Sequence, residues 1–104
     1  MFARHVSIHL KSNMLSDYTR TFENDTLPLL RQQKGFKDEI TLSNPGSLDV
    51  IAISLWDSKA NAETYNTNAY PQVLRTFERM IDGAPKVQTF EAATSTFHKV
   101  AVAA

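Results

Sequence analysis

The segment from Leu48 to Trp56 limits the fold more than any other part of this chain. Read as an extended strand, it sets Val50, Ala52, Ser54 and Trp56 on one face and Ile51, Ile53 and Leu55 on the other. Side chains alternate across a strand, so a strand apolar on both faces belongs in the middle of a sheet covered from two sides. The rest of the chain has to supply both covers.

The flanking segments supply one of them. Met1 to Leu10 reads as a strand with Phe2, Val6, Ile8 and Leu10 on one face and Ala3, His5, Ser7 and His9 on the other. From about Met14 the period lengthens: Leu15, Tyr18, Phe22, Leu29 and Leu30 form a helical stripe, with Ser12, Asn13 or Ser16 available as caps. Pro28 inside that stripe predicts a kink near Asn24, because its ring crowds the carbonyl four residues back. Gly35 ends the helix, and Phe36, Asp38, Ile40 and Leu42 then alternate against Lys37, Glu39 and Thr41 as a second strand. Asn44-Pro45-Gly46 carries a type II turn signature, which joins this strand to Leu48–Trp56 as a hairpin.

Asp57 or Ser58 caps a short helix to about Tyr65, and Asn66-Thr67-Asn68 interrupts it before Pro71 starts another. Val73, Leu74, Phe77, Met80 and Ile81 repeat at the spacing of one buried helix face, closed by Gly83 and Pro85. The final strand runs from Lys86 through Phe90, with Phe97 as its outer limit, leaving 98–104 as a tail. The order β-α-β-β-α-β predicts an α+β, ferredoxin-like domain over residues 1–104, with an antiparallel sheet carrying both helices on one side. The other face is left for a twin sheet, so the expected partner is a second copy of the chain. Two sheets packed face to face bury well over ~1,000 Å², as obligate homodimers do. A monomer with a half-wet sheet is the alternative.

Composition narrows the chemistry. Eleven basic residues balance eleven acidic ones, with no cluster of Lys and Arg, which argues against a nucleic-acid partner. The absence of Cys removes thiolate nucleophiles, disulfides and zinc knuckles, and permits a reducing compartment. The first ten residues form neither a signal peptide nor a membrane span. A soluble, cytoplasmic protein without a membrane partner is expected.

Leu29-Leu30-Arg31-Gln32-Gln33-Lys34-Gly35-Phe36, Ser54-Leu55-Trp56-Asp57-Ser58 and Tyr70-Pro71-Gln72-Val73-Leu74 together resemble the antibiotic biosynthesis monooxygenase family, whose members are dimeric α/β barrels. The likeness spans Phe2 to Glu91 and lies in fold-making residues. It implies a ligand cleft between helices and sheet. It also implies oxidation of polycyclic aromatic substrates by molecular oxygen without metal or flavin, though relatives of this shape include isomerases, stress proteins and quorum-related proteins. A haem-degrading branch uses an Asn on the first strand, a Trp on the helix after the third strand, and a His further on. The matching places here hold Val6 or Ser7, Tyr65 and Arg75, which counts against haem chemistry.

In such a cleft Trp56, Tyr65, Tyr70 and Tyr18 are candidates to line an aromatic substrate, and Arg75 to hold its carboxylate or phenolate. For any one aromatic, core packing is the commoner role. Cofactor-free oxygenation needs a base. Tyr65, His5 and His9 are the candidate catalytic residues; the two histidines serve only if their face of the first strand lines the cleft, and otherwise point into the dimer interface. His5 and His9 lie ~13 Å apart at ~3.3 Å per residue, too far to share one metal, even if His98 approaches across the dimer. No cofactor and no metal are expected. The reading is a cofactor-independent monooxygenase acting on a small aromatic or quinol substrate, with a non-catalytic ligand-binding or stress-responsive dimer as the alternative.

Overall fold

The computed structural model describes residues 1–96, 98 and 100. Strand β1 (Phe2–His9) buries its even positions, Phe2, Arg4, Val6 and Ile8, and leaves Ala3, His5 and Ser7 half-covered. Its neighbours are β3 (Asp49–Trp56) on one side and β4 (Lys86–Glu91) on the other, and β2 (Phe36–Ser43) pairs with β3. The resulting order β2-β3-β1-β4, antiparallel throughout, is the ferredoxin-like arrangement the element order predicts. β4 ends at Glu91, short of Phe97, which lies outside the described residues together with most of the tail.

Helices α1 (Leu15–Thr21), α2 (Leu27–Arg31), α3 (Lys59–Asn68) and α4 (Tyr70–Phe77) supply the rest of the core. Phe2, Val6, Ile8, Val50 and Trp56 from the sheet pack with Tyr18, Phe22, Leu30, Tyr65, Val73 and Phe77 from the helical layer. Met80 and Ile81 extend the buried face of α4 as expected, while Leu74 is half-covered. None of the described helices is long and apolar enough to cross a membrane.

Local departures from the sequence reading have local causes. The bend expected at Pro28 is a π-helical turn, Phe22–Thr26, in which the Leu27 N–H reaches back five residues to the Phe22 carbonyl. Widening the turn ahead of a proline that cannot donate is one way a helix absorbs it. None of Ser12, Asn13 and Ser16 caps α1; Met14 holds that position without a side-chain bond, and Asn13 takes a positive φ of 62°. Ser58 rather than Asp57 caps α3, its Oγ accepting from the Asn61 N–H at 3.2 Å. α3 then runs through Asn66-Thr67-Asn68, and the break falls at Ala69.

In β2 a register shift between Phe36 and Asp38 breaks the simple alternation. Phe36 turns inward against Trp56, with ring centroids 5.6 Å apart, while Glu39 and Thr41 follow on the helix side. Such bulges re-aim every later side chain on a strand. Ile40 and Leu42 consequently face away from the helices, 54% and 47% exposed, beside the half-covered Ile51, Ile53 and Leu55 and the 51% exposed Phe90. In the single chain only one face of the sheet is therefore buried.

Candidate active site

Between the buried face of the sheet and the helices lies a cavity of about 50 Å³. Val6 and Ile8 of β1 with Ala52 and Ser54 of β3 form its floor, and Tyr18, Phe22, Tyr65, Tyr70 and Phe77 are among its walls. Tyr18 and Phe77 are tilted together with centroids 4.8 Å apart, and Phe22 stands 5.9 Å from the first and 6.2 Å from the second. A second recess of about 390 Å³, between α1, the π-helical turn and β2, shares Tyr18, Phe22 and Glu39 with the cavity. The wide turn before Pro28 thus borders the approach to the interior.

Besides three tyrosines, one basic and one acidic side chain line this largely apolar space: Arg4 and Glu39. Arg4 is only 3% exposed. Its Nη2 donates to Asn66 Oδ1 at 2.8 Å, and its guanidinium carbon lies 4.4 Å from the Tyr70 ring centre and 5.0 Å from that of Tyr65. Burial lowers its pKa, opposed by the two phenols beside it. A buried cation is normally matched by an anion, because desolvation without a partner is costly. Among the described residues no carboxylate pairs with Arg4; ring faces and one amide oxygen hold it instead.

Glu39 is half-buried, and burial pushes its carboxyl pKa up while a 2.6 Å bond donated by Thr41 Oγ1 to Oε2 pulls the other way. A carboxylate made more basic in a cleft is a better proton acceptor than an exposed one. The phenols shift in the same direction, with a different consequence. Burial pushes Tyr65 up to about 12 and raises Tyr18 and Tyr70 as well. At neutral pH they remain protonated and serve as donors, so Tyr65 does not fit the role of a resting base.

Neither a family model nor a curated protein matches the sequence. Solved structures do match. A protein of unknown function from Nitrosomonas europaea superposes with a TM-score of 0.77 at 14% identity, covering 94% of each chain. A variant of SnoaB, a cofactor-independent oxygenase from Streptomyces nogalater, gives 0.75 at 11%, covering 93% of this chain and 97% of that one. An antibiotic biosynthesis monooxygenase gives 0.70 at 11%, covering 90% and 100%. This chain has the antibiotic biosynthesis monooxygenase fold. Identities this low concern the path of the backbone, and the chemistry has to be argued from the site.

Within the monooxygenase fold the residues singled out from sequence separate into three groups. Tyr18, Tyr65 and Tyr70 line the cavity. Trp56, fully buried, stands behind it: it stacks on Tyr65 at 5.0 Å and donates Nε1–H to Ser54 Oγ at 2.9 Å, so it positions the wall rather than forming it. The remaining candidates lie elsewhere. Because Val6 and Ile8 face the helices, His5 and His9 fall on the opposite face of β1. His5 sets its ring edge-on to Phe90 at 6.2 Å, with Nδ1 buried and unbonded, and His9 pairs with Asp49 at 2.8 Å. Arg75 is exposed on α4, outside the cavity, and His98 meets the Asp38 carboxylate.

Arg4 and Glu39 are the residues that the sequence reading missed. Strand period alone puts Arg4 on the same face as Phe2 and Val6, and a charge on an apolar face is a usable signal. Glu39 had no such marker, since its facing depends on the bulge before Asp38.

Proposed function

We propose that the chain belongs to the antibiotic biosynthesis monooxygenase family and is a cofactor-independent oxygenase of a small aromatic or quinol-type substrate. It acts as a homodimer joined through the open sheet face. The observation that carries this reading is the apolar, aromatic-walled cavity with a carboxylate of raised basicity at its edge. The inner space is too small for a fused ring by itself, but it is continuous in its lining residues with the 390 Å³ recess, and together they approach the dimensions of small-molecule sites. Oxygenation without a cofactor draws all four electrons from the substrate: one oxygen atom enters the ring system, and the other leaves as water with the two hydrogens the substrate gives up. Removal of a proton starts it, and a dry pocket protects the electron-rich intermediate.

Oxygen uptake with anthrone-like and quinol substrates tests the proposal in wild type beside Tyr65→Phe and Glu39→Gln. Wild type is expected to consume oxygen, Tyr65→Phe to retain most of the rate, and Glu39→Gln to fall by about 10²-fold or more, the usual weight of a general base. No uptake with any substrate overturns the oxygenase reading. The packed Tyr18–Phe22–Phe77 trio favours the second reading, a ligand-binding dimer without turnover, which predicts ligand binding with no oxygen consumed.

A further inference from the structure

We propose that the cavity takes its ligand as an oxyanion: an aromatic phenol or enol whose ionised oxygen lies against Arg4 and whose proton passes to Glu39. This rests on the aromatic-substrate reading above and adds the ionic form in which that substrate is held and the two residues that hold it.

Charge is out of balance at Arg4. Its guanidinium is buried at the rim of an apolar cavity with no carboxylate partner among the described residues, so an anion arriving there regains part of the free energy lost on desolvation. Phosphate or a simple carboxylate meets the charge but leaves the aromatic lining unused. An aromatic oxyanion uses both, its ring among the walls and its oxygen at the cation. Geometry fixes how the cation is offered: Tyr70 and Tyr65 lie against the guanidinium and Asn66 anchors one nitrogen, which holds it in place before any ligand arrives. Hydrogen bonds from guanidinium to an ionised oxygen are about twice as strong as neutral ones.

Glu39 is suited to the proton. It borders both the cavity and the wider recess, so a proton taken inside can be released outside. Thr41 occupies Oε2, which leaves Oε1 to accept. In the step, the substrate O–H bond breaks, the proton bonds to the Glu39 carboxylate, and the electron pair stays on oxygen, delocalised into the ring and compensated by Arg4. Glu39 and Arg4 are not ion-paired with one another, so neither is withdrawn from this use. No histidine lines the cavity to compete for the role.

The test is anaerobic binding, which does not depend on turnover. 4-Nitrophenol, whose phenolate is coloured, is titrated into the dimeric or monomeric protein as purified, with 4-nitroanisole as the non-ionisable control. Expected for wild type are a shift of the bound probe towards the phenolate spectrum and a preference for nitrophenol over nitroanisole of about tenfold, one hydrogen-bonded charge's worth. Arg4→Met should abolish the preference and Arg4→Lys restore part of it, with unchanged nitroanisole binding as the sign of an intact cavity. Glu39→Gln should keep the phenolate spectrum, because Arg4 still compensates the charge, but should release to the buffer the proton that wild type retains on Glu39, read with a pH indicator; equal proton release from both overturns the role of Glu39. If wild type fails to bind nitrophenol or binds nitroanisole equally well, or if Arg4→Met keeps the preference, the inference is overturned. A bound phenolate without oxygen uptake from the anthrone-like panel sinks the oxygenase instead. Uptake with no phenolate preference sinks only this proposal.

Discussion

Arg4 and Glu39 are the residues where folding and function pull in different directions. Each is an ionisable group held in an apolar wall, where charge is costly without a partner. For Glu39 the penalty has a definite pH signature. Its folded pKa lies above its ordinary value of 4.5. Below that ordinary value the carboxyl is protonated in both the folded and unfolded chain, and its contribution to stability is fully present. As pH rises through the raised folded pKa the unfolded chain releases the proton more readily, and that contribution is lost. Glu39→Gln cannot ionise and still accepts from Thr41. Thermal melts should show the variant matching wild type near pH 4 and exceeding it at pH 7; a constant gap at both pH values contradicts the assignment.

At the scale of elements, the junction between α2 and β2 is set by Gly35. It adopts φ of 82°, and a Cβ there would lie 2.1 Å from Asp57 Oδ1 and 2.6 Å from Asn61 Nδ2. The close approach exists because the Asp57 N–H donates to the Gly35 carbonyl at 2.8 Å, tying the end of β3 to the start of β2 just before Ser58 caps α3. Gly35→Ala meets both the positive φ and the overlap, so a loss of about 1–3 kcal/mol is expected. Urea or thermal unfolding would register it as a fall in Tm of roughly 4–8 °C per kcal/mol for a domain of this size. The neighbouring bulge in β2 belongs to the same junction, and by turning Phe36 in and re-aiming Glu39 it links how the hairpin starts to what reaches the cavity.

At the scale of the molecule, the open sheet face is the unfinished surface. Ile40, Leu42 and Phe90 are exposed together beside Ile51, Ile53 and Leu55, and His5 leaves a buried Nδ1 without a partner among them. Contiguous apolar area of this kind marks an interaction surface, and a second copy presents the same surface for a symmetric interface. Ile53→Lys places a charge at the centre of that face. Sedimentation at micromolar concentration should find wild type as a dimer and the variant as a folded monomer; a wild-type monomer refutes the shared-sheet arrangement.

Element order, turn positions and the two-faced character of β3 were legible in the sequence because they rest on period and on Gly and Pro, which act over a few residues. So were the helix face built from Val73 and Phe77 and the place of Tyr65 on the inner side of the helical layer. Which side of β2 carries Glu39, which face of β1 meets the helices, and that Trp56 backs the wall while Tyr65 forms it, were decided only by strand register and packing. Those are contacts between residues far apart in the chain, such as Arg4 with Asn66 and Trp56 with Tyr65 in their observed geometry. Local pattern can place a charge on an apolar strand face, but only the assembled layers determine whether that charge ends in solvent, in an ion pair, or, as Arg4 does, against two ring faces at the edge of a cavity.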